Sequence, residues 1–100
     1  MELEQVVFQI ILHAGDARNY AMEALRLARG KNFTAAGELM EKAKVELNKA
    51  HHVQTNLLQE EAGGKKPEVS LLLIHAQDHL MTTIVAKDLI EELILMLQER

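Results

Sequence analysis

Small and apolar residues recur every three or four positions along nearly the whole chain, and only two short stretches break the pattern. Leu3, Val7, Ile10, Ala14, Ala17, Ala21, Ala24 and Ala28 form the first run. Ala36, Met40, Ala43, Leu47, Ala50 and Leu57 form the second, widened by Leu39, Val53 and Leu58. That spacing lays one stripe along a helix of 3.6 residues per turn, and no sustained alternation of strand type competes with it. Gly30 follows the first run where a left-handed helix end is expected, and Asn32 stands ready to cap the next helix. Gly63-Gly64 closes the second run, and Pro67 suits the first turn of a third helix, because its missing N–H has no intrahelical partner there. The expected helices span about 2–29, 33–61 and 68–98 of a single domain over 1–100. Their lengths give an all-α, antiparallel three-helix bundle roughly 40 Å long.

The third helix is apolar on nearly every side. Leu72, Leu73, Leu80, Ile84, Leu89, Ile90, Leu93, Ile94, Leu95 and Leu97 offer more surface than two neighbours cover. A helix of that kind is buried by further subunits, so the pattern predicts a homo-oligomer, with a coiled-coil-like trimer of nine helices around helix three as the expected geometry. The alanines of helix one, with Gly15, are expected to serve close helix packing.

Several function classes drop out early. A net charge of -4 gives no basic face for a phosphate backbone, and three aromatic residues leave little for base stacking, so no nucleic-acid partner is expected. No cysteine is present, which removes disulfides and thiolate chemistry. The acidic start Met1-Glu2-Leu3-Glu4 is unlike a signal peptide, and the apolar runs are far shorter than the roughly 20 residues of a membrane span. A cytoplasmic protein without membrane insertion is expected.

Chemistry concentrates in His75-Ala76-Gln77-Asp78-His79-Leu80-Met81-Thr82. His75, Asp78, His79 and Thr82 stand at i, i+3, i+4 and i+7, on one strip of an apolar helix, where polar groups carry a cost unless paired or used. A neutral imidazole at His75 offers a nucleophilic lone pair suited to phosphoryl transfer. Asp78 is placed to orient a ring, and His79 and Thr82 to donate to phosphoryl oxygens. No glycine-rich nucleotide loop accompanies them, so the phosphoryl donor has to be another protein. Two alternatives stay open on the residues alone. His75 and His79 at i and i+4 suit a metal-dependent hydrolase, echoing the inverted H-x-x-E-H arrangement, and the strip also suits a structural helical interaction module with a polar layer.

The run Leu73-Ile74-His75-Ala76-Gln77-Asp78-His79-Leu80-Met81-Thr82-Thr83 closely resembles the signature of the lactose/cellobiose-type enzyme IIA of the bacterial sugar phosphotransferase system (PTS). Ala14-Gly15-Asp16-Ala17-Arg18, Ala50-His51 and Gln54-Thr55 are similar to other patterns of that family, so the resemblance covers the whole chain. It implies a trimeric phosphocarrier that accepts a phosphoryl group from phospho-HPr and passes it to a cysteine of the cognate enzyme IIB during disaccharide uptake. By that resemblance His75 is the phosphorylated histidine, through Nε2, and His79 assists. Asp78 meets its symmetry mates around Mg²⁺ or another divalent cation. His51, His52 and Gln54 are candidates for the strip's surroundings if helix two packs beside helix three, although surface histidines of a helix are more often solvated; Arg18 is expected to pair with a carboxylate, Lys65 and Lys66 to form a solvated turn, and His13 takes no role. Leu71, Ile74 and Met81 are expected to offer a docking surface. The residues do not indicate which sugar is carried.

Overall fold

The computed structural model describes residues 2–100, so Met1, the expected start of the domain, lies outside the described residues. Three helices follow one another, α1 (Leu3–Arg29), α2 (Phe33–Ala62) and α3 (Leu71–Gln98), with no strand among the described residues. The molecule measures 51 × 20 × 19 Å. It exceeds the expected 40 Å because α2 alone, at 30 residues, rises about 45 Å and the caps and connections add to it.

Both breaks use the same device. Asn32 N–H donates to Leu27 O and Lys31 N–H to Ala28 O, each at 2.9 Å. Lys65 N–H donates to Glu60 O at 2.9 Å and Gly64 N–H to Glu61 O at 3.0 Å. These paired bonds absorb the last free carbonyls of α1 and α2 in Schellman fashion. The left-handed residue of the first is Lys31 (φ 65°), not the expected Gly30, whereas Gly64 (φ 98°) fills that place in the second. Asn32 caps α2 as expected, its Oδ1 accepting from Ala35 N–H.

Helix three begins at Leu71 rather than 68, because Ser70 provides the N-cap: its hydroxyl oxygen accepts from Leu73 N–H at 3.1 Å. Pro67 therefore lies in the connection and not in the first turn. A hydroxyl that satisfies an orphan N–H outweighs the mere tolerance of proline at a helix start.

The three helices are not equivalent. Helix α1 packs along both others, while α2 and α3 scarcely meet. The alanines explain this. Ala14, Ala17, Ala21, Ala24 and Ala28 are all essentially inaccessible, and their small side chains bring the axes of α2 and α3 close to α1 from two sides. One core cluster joins Val7, Ile10, Ala14 and Ala17 to Leu47, Ala50, Ala76 and Leu80, and a second joins the later alanines of α1 to Met40, Ala43, Ile90 and Ile94. Two polar ties join α2 directly to α3: Gln54 Nε2–H donates to Gln77 Oε1 at 2.9 Å, and Lys44 stands 3.5 Å from Glu91.

Leu80 is fully buried beside the histidine strip and is one of the largest side chains fixing α3 against α1. Leu80→Ala is expected to destabilise the chain by about 3 kcal/mol, the transfer term plus a residual cavity. Urea denaturation at fixed protein concentration checks this, and a change under about 1 kcal/mol would show that α3 does not depend on that contact.

Candidate functional site

Burial of Ala76 and Leu80 against α1 sets the rotation of α3, and that rotation places every side chain of the strip. At about 100° per residue, His75 and His79 fall on one flank of the buried line and Asp78 faces outward, with Gln77 and Met81 on the far flank. His75 and Asp78 are exposed, and His79 is half-buried. The two imidazole rings lie parallel, 4° between planes and 6.0 Å between centroids.

Helix α1 closes the other side of this pair. A Cβ added to Gly15 would stand 3.5 Å from Nε2 of His79, so the glycine lets the backbone of α1 approach the ring. Gly15 was expected to serve packing alone, and the structure makes it part of the site's wall. His79 is held below the ordinary histidine range, first by burial, then by the positive charges of His75 and Arg18, against a smaller opposing pull from Asp78. A neutral ring at His79 keeps one N–H to donate and one lone pair.

Several other expectations change. Thr82 Oγ1 donates to the carbonyls of Asp78 (2.9 Å) and His79 (3.2 Å), so its hydroxyl proton is used by its own helix and not offered to a phosphoryl group. Arg18 forms no ion pair among the described residues, contrary to the pairing expected of it, and its charge bears on His79 instead. His51 and His52 are exposed on α2, as expected of surface histidines. Gln54 is buried and reaches α3, donating to Gln77 and lying 3.6 Å from the sulfur of Met81. His13, given no role from sequence, ties α1 to α2: its Nδ1 lies 2.7 Å from Glu46 Oε2, and that hydrogen bond is the main reason the Glu46 carboxyl sits below its ordinary range.

One further pattern surrounds Asp78. Leu71, Ile74, Asp78, Met81 and Val85 follow at steps of three and four along α3, and the four apolar members are exposed by 82%, 53%, 49% and 57%. This is the spacing of a left-handed coiled-coil seam, with one carboxylate set among apolar side chains.

An exposed imidazole beside a second, neutral one on a three-helix scaffold is compatible with group transfer, and comparison with known proteins decides the family. The sequence profile of the "PTS system, Lactose/Cellobiose specific IIA subunit" matches residues 5–98. The chain belongs to the lactose/cellobiose-specific IIA family. It is a phosphotransferase component of a sugar PTS. It is 50% identical over 93 residues to the lichenan-specific phosphotransferase enzyme IIA component of Bacillus subtilis, covering 93% of this chain and 84% of that protein. The crystal structure of the cellobiose-specific enzyme IIA from Bacillus anthracis superimposes with a TM-score of 0.94 at 50% identity, covering 99% of this chain and 92% of the other. The chitobiose IIA of Escherichia coli, solved in solution in complex with HPr, is 45% identical with a TM-score of 0.85, covering 99% of this chain and 96% of that one. No helix among the described residues is long and apolar enough to cross a membrane.

Proposed function

We propose that this IIA chain is a cytoplasmic, trimeric phosphocarrier in which His75 takes a phosphoryl group from the phosphohistidine of HPr and yields it to a cysteine of the cognate enzyme IIB. The sugar served is a disaccharide of the lactose, cellobiose or chitobiose class. The observation that carries the reading is an imidazole left open to a visiting protein on a helix anchored to α1 through Ala76 and Leu80.

The chemistry needs little else. With its proton on Nδ1, His75 presents the Nε2 lone pair to phosphorus. A new N–P bond forms as the donor's N–P bond breaks, and the bonding pair returns to the donor imidazole. Transfer onward reverses the roles: a cysteine thiolate attacks phosphorus and the pair returns to Nε2 of His75. The neutral His79 supplies an N–H toward the phosphoryl oxygens, and its reluctance to gain a proton keeps it available in that form.

The α3 seam supports the trimer. Beyond Val85 it continues as exposed Leu89, Leu93, Leu95 and Met96, and with α2 scarcely touching α3 nothing among the described residues covers it. Between Leu71 and Val85 each chain brings one carboxylate, Asp78, to the seam, and no group of three His, Cys, Asp or Glu side chains forms a metal site among the described residues. The donor set therefore fits a divalent cation such as Mg²⁺ only where copies bring their Asp78 carboxylates together. Bound there, the ion supplies charge neutralisation to carboxylates that otherwise repel one another. The hydrolase reading requires a further protein ligand beside His75 and His79, and the described residues group none with them.

Incubation with phosphoenolpyruvate, enzyme I and HPr is expected to add one phosphoryl group per chain by mass, stable in base and lost in acid. A chain that gains no mass from phospho-HPr overturns the reading.

A further inference from the structure

A phosphoryl group on His75 carries close to two negative charges, and α3 has no cation near it. The first lysine or arginine on that helix is Lys87, about 18 Å further along. Its ammonium is already engaged, 2.8 Å from Asp88 and 3.5 Å from Glu91. In the connection before α3, Lys65 lies over the groove between α1 and α2 with Leu3, Val6, Val53 and Leu57, away from the flank on which the histidines stand. Helix α1 is different. Its backbone meets His79 at Gly15, and Arg18 follows one turn later, at i+3 on the same flank. The Arg18 side chain is exposed, forms no ion pair among the described residues, and is near enough for its charge to be felt at His79.

We propose that Arg18 is the cation that binds the phosphoryl group carried by His75, reaching from α1 past the opening that Gly15 leaves at His79. A guanidinium suits the task, since its planar fork donates to two phosphoryl oxygens and stays charged at every relevant pH. With no carboxylate partner among the described residues to leave, Arg18 gives up only water when the group arrives. The neutral His79 and the charged Arg18 then divide the work, one a short N–H donor at the ring and the other a counter-charge from the neighbouring helix. The inference rests on phosphorylation of His75 as proposed above.

Arg18→Gln and Arg18→Lys chains, phosphorylated with phosphoenolpyruvate, enzyme I and HPr, test it. Arg18→Gln is expected to slow phosphoryl uptake by about tenfold, the loss of one charge-assisted hydrogen bond, and Arg18→Lys to recover most of it. In the phosphorylated chain, the ³¹P titration midpoint of the phosphohistidine is expected to rise by about 0.5 to 1 pH unit in Arg18→Gln, because a removed cation makes the second phosphoryl proton easier to hold. In the unphosphorylated chain, the His79 midpoint is expected to rise in the same variant, with the thermal melt unchanged. A purely structural Arg18 would move the melt and leave the ³¹P midpoint alone. Unchanged uptake with an unchanged ³¹P midpoint overturns the inference while His75 phosphorylation stands. Absence of labelling in the unsubstituted chain removes the function reading itself.

Discussion

A His75→Ala chain is expected to take up no phosphoryl group from phospho-HPr, whereas His79→Gln is expected to be labelled fully but about 10 to 100 times more slowly. The difference follows from where the rings sit. His75 is exposed, so a donor protein can bring phosphorus to its lone pair in line, and no other nucleophile of the strip is similarly free. Thr82 has committed its hydroxyl proton to the α3 backbone, and His79 is half-buried with Nε2 turned toward Gly15. Glutamine at 79 keeps an N–H donor at similar reach while abolishing the ring, so it weakens assistance without removing the acceptor. Rapid-quench labelling followed by mass spectrometry separates the two behaviours. Because alanine is a better helix former than histidine and the site is on the surface, loss of labelling in His75→Ala is not a folding effect, and circular dichroism verifies that. Labelling that persists in His75→Ala, or a complete block in His79→Gln, would reverse the assignment of carrier and helper.

How much of this could be read from the chain itself divides along a physical line. Helix positions follow from local spacing, and spacing is a property of sequence: Ala14, Ala17 and Ala21 declare their shared face with no partner in view. Caps are local too, yet they compete. Ser70 and Pro67 both mark a helix start, and only the chain's path after Gly64 decides between them. Lys31 takes the left-handed place beside an available Gly30 because the paired closing bonds fix which residue bears the positive φ. The pairing of Gly15 with His79 and the bearing of Arg18 on that ring depend on the rotation and axial offset of α1 against α3. No periodicity within one helix contains that information, so Gly15 reads as packing and Arg18 as an exposed ion-pair partner. The Gln54–Gln77 bridge is illegible for the same reason, although a polar residue recurring on an otherwise apolar stripe, as Gln54 does after Leu47 and Ala50, is a usable hint. His75 and Asp78 needed less. An ionisable group amid apolar neighbours is conspicuous whatever the packing.

Replacing Asp78 with leucine is expected to raise the melting temperature of the assembled protein in chelator and to abolish its response to divalent cations. Asp78 occupies a seam position between Ile74 and Met81, and nothing within its own chain neutralises its side chain by an ion pair among the described residues. If three seams meet, three carboxylates converge in a region whose other members are apolar, and both desolvation and mutual repulsion oppose assembly. Leucine continues the stripe of Leu71, Ile74, Met81 and Val85 and removes both costs. The gain is about 1 to 4 kcal/mol, the range seen when buried charges give way to well-packed apolar groups. Thermal melts with and without EDTA, together with sedimentation at matched concentrations, supply the measurement. In the unsubstituted protein, EDTA is expected to lower the melt, and added Mg²⁺ to restore it, because a cation that binds only the assembled form stabilises it by mass action. A leucine variant that sediments as single chains would show that the cation held by Asp78 contributes net stability to the assembly, and an unsubstituted protein indifferent to EDTA would show that its carboxylates do not share a cation. Phosphoryl uptake offers an independent control: Asp78 projects about 60° around the helix from His75, so Asp78→Leu is expected to leave labelling within about twofold, separating what holds the copies together from what carries the group.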